Sequence, residues 1–144
     1  MVDDPGQQAL IDQGWQRFEQ TAPVTVDSGT IEMSPPVFCR GSGPPLPLMH
    51  ELPGLAQPCV DFAGRLIGAG YEVFMPQLIG PALSDRLFDN YLRMCAADEV
   101  ARLRHGESAP ITDWLRVLAR HIVRLRGQPR VGAIGMCFTS AARL

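Results

Sequence analysis

The sequence predicts an α/β fold, a mainly parallel sheet with helical crossovers. Residues 46–75 read in succession as strand, loop, helix and strand, the unit that joins parallel strands. Residues 113–126 repeat apolar side chains at helical spacing. Residues 130–134 form a last strand that runs into Gly135-Met136-Cys137, a strand-to-helix turn, with a helical start over 138–144.

In chain order, Leu10, Ile11, Trp15 and Phe18 allow a short amphipathic helix between Gln7 and Gln20, with Gly14 in its middle. Residues 1–20 are read as a peripheral N-terminal segment and 21–144 as one partial domain. Val24-Thr25-Val26 and Thr30-Ile31-Glu32-Met33 flank the turn sequence Asp27-Ser28-Gly29, so a hairpin or paired edge strands are expected. Gly41-Ser42-Gly43-Pro44-Pro45 is a connection, because proline removes a donor and glycine costs backbone entropy in a helix. Leu46 to Met49 follows as a short buried strand, weakened by Pro47. Cys59, Phe62, Ala63, Leu66 and Ile67 predict a helix over 58–69, with Pro58 in its first turn and Gly68 and Gly70 near its end. Tyr71 to Met75 is a strand stopped by Pro76. Leu83, Leu87, Tyr91, Met94 and Val100 give partial helical spacing, so one or two helices are expected over 81–104. Thr112 is the expected N-cap of the 113–126 helix, whose core stripe is Trp114, Leu115, Leu118, Ile122 and Leu125. Arg116, Arg120 and Arg124 on its other face are read as a solvated row.

At 144 residues, 46% apolar and 19% charged, the chain has the composition of one soluble domain. No run approaches the roughly 18 consecutive apolar residues of a membrane helix. Met1-Val2-Asp3-Asp4 is acidic where a signal peptide is basic, so the expected location is the cytoplasm. The net charge of −2 leaves no electrostatic footprint for nucleic acid. A small-molecule substrate is the expected partner, with neither nucleic acid nor membrane. Cys39, Cys59, Cys95 and Cys137 are scattered without a C-x-x-C pair and read as free thiols, not as a zinc site or disulfide scaffold. No metal or cofactor is implied.

Cys137 is the residue on which chemistry converges. A nucleophile at a sharp strand-to-helix turn needs small neighbours, which Gly135 supplies. The helix start that follows lowers a thiol pKa and offers an N–H for a developing oxyanion. Taken alone, Gly-x-Cys fits a small buried core cysteine better. Gly132 and Gly135 have the look of a phosphate turn, but no G-x-G-x-x-G is present.

Three further segments add specificity. Leu48-Met49-His50-Glu51-Leu52-Pro53-Gly54-Leu55, Ala69-Gly70-Tyr71-Glu72-Val73-Phe74-Met75-Pro76 and Val131-Gly132-Ala133-Ile134-Gly135-Met136-Cys137-Phe138-Thr139, in that order, resemble the dienelactone hydrolase family. Pro110-Ile111-Thr112-Asp113-Trp114-Leu115-Arg116 resembles a branch of it, so the likeness extends from Pro44 to Thr139. The resemblance implies an α/β-hydrolase fold and a cysteine hydrolase that opens lactone or other ester bonds through a Cys, His and Asp triad. Cys137 matches the nucleophile. Glu51 matches the acid that contacts the thiol in the resting enzyme, and the backbone N–H groups of Leu52 and Phe138 the oxyanion donors. His50 is read as shaping the loop, not as a base.

In that fold the acid and histidine follow the nucleophile, and seven residues follow Cys137 here, with His50, His105 and His121 all before it. Ser140 and Ala141 stand where the family carries glycines. The expectation is an α/β-hydrolase fold truncated after the nucleophile elbow, lacking the triad Asp and His. Val131 to Ile134 then becomes an edge prone to self-association. Two functions stay open: a dienelactone-hydrolase-like hydrolase of ester or lactone bonds whose activity in this chain is lost, and a catalytically inactive remnant or interaction module with a reactive thiol. A third, anion binding through the arginine row, predicts salt-sensitive binding. Arg86, Arg93 and Arg102 receive no role, and the substrate stays unnamed.

Overall fold

A computed structural model describes residues 4–51, 54–84 and 110–136. Its elements in chain order are α1 (Pro5–Asp12), β1 (Gln16–Glu19), β2 (Ala22–Val26), β3 (Gly29–Met33), β4 (Pro36–Gly41), β5 (Pro45–Met49), α2 (Gln57–Gly68), β6 (Glu72–Pro76), α3 (Pro110–Arg126) and β7 (Ile134–Gly135). The helices expected over 81–104 and the helical start at 138–144 lie outside the described residues, apart from 81–84, which form a loop.

The N-terminal segment divides where its chemistry dictates. Asp4 caps α1, its Oδ1 accepting from the N–H groups of Gly6 and Gln7 at 2.9 and 3.3 Å, and Pro5 takes the first helical position. Gly14, at φ +91°, ends the helix rather than interrupting it, and the Trp15 N–H closes back on Leu10 O at 3.1 Å. The one helix expected over 7–20 is therefore a shorter helix followed by β1. Leu10 and Trp15, 0% and 3% exposed, join the core beneath α2, so this segment is integrated with the sheet.

Five strands form the sheet in the order β1-β4-β6-β5-β7, and β2-β3 form a separate hairpin. The hairpin turns at Asp27-Ser28-Gly29 as expected. β5 pairs in parallel with β6 and with β7, whereas β1-β4, β4-β6 and β2-β3 are antiparallel. The expectation of a mainly parallel sheet is corrected: the sheet is mixed. Parallel pairing needs a crossover, and only the chain from β5 onward has helices to provide one; the strands before β5 are joined by connections too short for it. β4 itself was not expected, because Pro35 and Pro36 mask a strand that tolerates proline at its first residue.

β6 lies between β4 and β5, with Glu72 opposite both Gly41 and Pro45. The 41–45 connection must therefore step across the start of β6, where Glu72 N–H donates to Pro44 O at 3.1 Å. Gly43 makes that step at φ +117°, and a Cβ there would collide with Gly70 O. Gly43→Ala is expected to cost about 3 kcal/mol in urea denaturation, from forced φ and backbone displacement together. A loss below about 1 kcal/mol would contradict so close a crossing.

Side chains alternate across the sheet. Phe38, Leu48, Val73 and Met75 face α1 and α2, while Val37, Cys39, Met49 and Phe74 face α3 and the hairpin. α3 buries Trp114, Leu115, Leu118 and Ile122 but leaves Leu125 52% exposed, so the expected stripe is one residue too long. It also begins at Pro110, which places Thr112 inside the first turn and not at the cap. Arg120 and Arg124 are exposed, and Arg116 pairs with Asp113 at 3.0 Å, the solvated face expected. β7 is shorter than the expected 130–134 strand and ends the sheet order.

Candidate functional site

The parallel pairing of β5 with β7 sets the geometry of the site. Leu48 is opposite Ile134 and Met49 opposite Gly135, and the Met136 N–H donates to Met49 O at 3.2 Å. The two strands thus end level at one end of the sheet. Glu51 comes two residues after Met49, and Cys137 comes two residues after Gly135 in sequence. Cys137, Leu52 and Phe138 lie outside the described residues; of the expected site residues, Glu51 is described.

Glu51 is exposed, at the start of the loop between β5 and α2. Its charge reaches Cys59, in the first turn of α2. Burial, with the Glu51 carboxylate adding to it, pushes the Cys59 thiol up to about 12. Cys39 on β4 is also raised, by burial first and the Glu72 charge second, against the opposing Arg126. Neither described cysteine is therefore a thiolate near neutral pH, despite the position of Cys59 at a helix start, which by itself favours ionisation. Burial overrides the helix dipole there.

His50 is fully buried, 0% exposed. Its Nε2 accepts from the Leu78 N–H at 3.0 Å, which requires a lone pair on that nitrogen. The proton therefore sits on Nδ1, which donates to Glu51 O at 2.8 Å. Burial lowers its pKa to about 4, with the Glu51 carbonyl working weakly the other way. A neutral imidazole with both nitrogens engaged is a brace, as the sequence suggested, and not a base. His121 lies on α3 with its ring 6.0 Å from that of Phe18, on the other face of the sheet from α2. His105 lies outside the described residues.

The brace reaches a loop that motif reading missed. After β6, Leu78 binds His50, and Leu83 N–H donates to Leu55 O at 2.8 Å. Gln77 Nε2 donates to Asp4 Oδ2 at 3.0 Å and to Gly80 O at 2.8 Å, and Ala82 N–H donates to Asp4 Oδ2 at 2.9 Å. Burial alone would raise the Asp4 pKa, but these donors, with those of Gly6 and Gln7, hold it below the usual carboxylate range. The sequence signal for Asp4 was its place before Pro5, a cap-and-proline pair. Leu78 acts through its backbone and left no signal. Among the described residues, no cluster of three or more His, Cys, Asp or Glu side chains is placed to hold a metal ion, and no helix is long and apolar enough to cross a membrane.

No protein-family model matches the chain, and no curated protein matches it in sequence. Among solved structures it is similar to a protein from Klebsiella pneumoniae subsp. pneumoniae described as a dienelactone hydrolase, at 17% identity and TM-score 0.49, covering 86% of this chain and 51% of that one. It is similar to a protein designated m3DLH, at 23% identity and TM-score 0.45, covering 88% and 52%. An epoxide hydrolase from an endophytic Streptomyces is similar at 18% identity and TM-score 0.43, covering 85% and 30%. Dienelactone-hydrolase-like proteins are thus among its structural neighbours, and the chain spans about half the length of the first two.

Proposed function

We propose that this chain carries the nucleophile portion of a dienelactone-hydrolase-like cysteine hydrolase of ester or lactone bonds, with Cys137 as nucleophile and Glu51 as resting-state acid. The level ends of β5 and β7 support it, since they bring the segments that lead to Glu51 and Cys137 out together. Glu51 takes the thiol proton, and the sulfur attacks the carbonyl carbon as the C=O electron pair moves to oxygen. The N–H groups of Leu52 and Phe138 hold that oxyanion. Its collapse breaks the acyl C–O bond and releases the alkoxide, which takes up a proton, and leaves an acyl-thioester. Water then adds to the acyl carbon, the C–S bond breaks, and acid and thiol are regenerated.

The second step needs a base, and neither described histidine serves: His50 is locked neutral and His121 sits across the sheet. That observation favours the second reading for this chain alone, a module with a reactive thiol and no turnover. With p-nitrophenyl acetate the expected result is a single-equivalent burst of p-nitrophenol, absent in Cys137→Ala. Sustained turnover that depends on Cys137 would overturn the second reading, and equal release by both proteins would overturn the nucleophile assignment.

A further inference from the structure

Asp4 joins two elements that are far apart in sequence. Its Oδ1 caps α1, accepting from the Gly6 and Gln7 N–H groups at 2.9 and 3.3 Å, while its Oδ2 accepts from Gln77 Nε2 at 3.0 Å and from the Ala82 N–H at 2.9 Å, on the loop after β6. One carboxylate therefore serves a helix with one oxygen and a loop with the other. We propose that Asp4 is a clasp: through Oδ2 it holds the 77–83 loop shut against the first turn of α1, and when that acceptor is lost the loop opens as one unit while α1 stays in place. Opening takes the Leu78 N–H away from His50 Nε2, so the clasp also governs the brace between the loops after β5 and β6.

The loop is held by polar bonds more than by packing. Gln77 is locked in one orientation, because its Oε1 accepts from Gln7 Nε2 at 3.0 Å and Gln7 Oε1 accepts from Arg17 Nε at 2.8 Å, which leaves Gln77 Nε2 to face Asp4 and Gly80 O. The Gln77 N–H donates to Pro36 O at 2.9 Å and fixes that end of the loop to β4. Gly6 lies so close to the loop that a Cβ on it would collide with the Ala82 carbonyl, yet a cleft of about 210 Å3, bounded by residues 4–6 and 81–84, runs beside that contact. Leu78, Ile79 and Leu83 are only partly buried. Leu83 also has φ +50°, the left-handed region that a residue with a bulky side chain adopts at a cost. The bond from its N–H to Leu55 O at 2.8 Å holds that strain in the closed loop, and opening relieves it.

The two oxygens separate by substitution. Asparagine caps a helix as well as aspartate does but has a single oxygen, so Asp4→Asn keeps the cap, whose partners are two and three residues away, and turns an NH2 group toward the Ala82 and Gln77 donors. Gly6→Ala leaves the carboxylate intact and favours the helix, but forces α1 and the loop apart. Amide hydrogen exchange of the full chain and of both variants is followed by NMR at one pH near neutrality. In the parent, the Leu78, Ala82 and Leu83 amides are expected to share one opening constant. In both variants their protection is expected to fall together by about tenfold to a hundredfold, the loss that follows from removing a hydrogen bond to a charged acceptor. The amides of Leu10 in α1 and Phe74 in β6 stay within about threefold of the parent, because those elements open separately from the loop. Unchanged protection at Ala82 in Asp4→Asn would overturn the clasp. So would a fall at Leu10 as large as that at Ala82, or a fall at Ala82 that Leu78 and Leu83 do not follow.

Discussion

Trp114→Ala is expected to cost about 4 kcal/mol of folding stability, the upper range for truncating a fully buried aromatic side chain. The indole is 0% exposed and packs in the cluster that joins α3 to Ala22 and Val24 of the hairpin and to Val37, Met49 and Phe74 of the sheet. It also donates from Nε1 to Gln20 O at 2.6 Å, tying α3 to the connection between β1 and the hairpin. Alanine removes the apolar contacts, leaves a cavity between helix and sheet, and strands the Gln20 carbonyl, a further cost of about 1 kcal/mol. Because domains of this size hold only about 5–15 kcal/mol in total, much of the margin would go. Urea denaturation followed by far-ultraviolet circular dichroism measures it. Trp114→Phe, which keeps most of the volume and loses the donor, is expected to cost about 2 kcal/mol. A loss below about 1 kcal/mol in Trp114→Ala would mean that α3 does not pack on the hairpin side as described.

The second large effect is a fall in stability on mild acidification. His50 has its folded pKa lowered from 6.5 to about 4 by burial. The unfolded chain therefore binds this proton in a range where the folded chain does not, and stability rises with pH between those values. Above the unfolded pKa both states carry a neutral imidazole and His50 contributes no slope. Passing down through the window, the folded state loses about 3 kcal/mol by pH 4, from a shift of roughly 2.5 units at about 1.4 kcal/mol each. Asp4 acts in a different window. Its folded pKa lies below 3.8, so the stability it supplies is present above that value and is lost only as pH falls further, through the folded pKa. The measurement is urea stability at several pH values for the parent and for His50→Asn. The expected outcome is a difference in slope confined to the interval between pH 4 and 6.5. Parallel curves would show that His50 is not held neutral in the folded chain.

Local pattern reached far into this fold. Apolar spacing located α2 and α3 because a helix exposes the same face every three to four residues, and Asp27-Ser28-Gly29 located the hairpin because glycine there accepts φ +128°. The motifs around Glu51 and Cys137 directly follow, in the sequence, the two strands β5 and β7, whose ends pair in parallel. What the sequence determined by itself was therefore which face of each element is apolar and where the chain turns. Tertiary structure alone decided the partners. Nothing local states that β6 inserts between β4 and β5, and so neither the mixed sheet nor the need for Gly43 at the crossing was legible. The same holds for His50: its ring is visible in the sequence, but its bond to the Leu78 amide joins residues far apart, through a backbone group that every residue but proline carries. Periodicity reports burial, and burial does not name the neighbour. Only the packed chain closes the brace between the loops after β5 and β6.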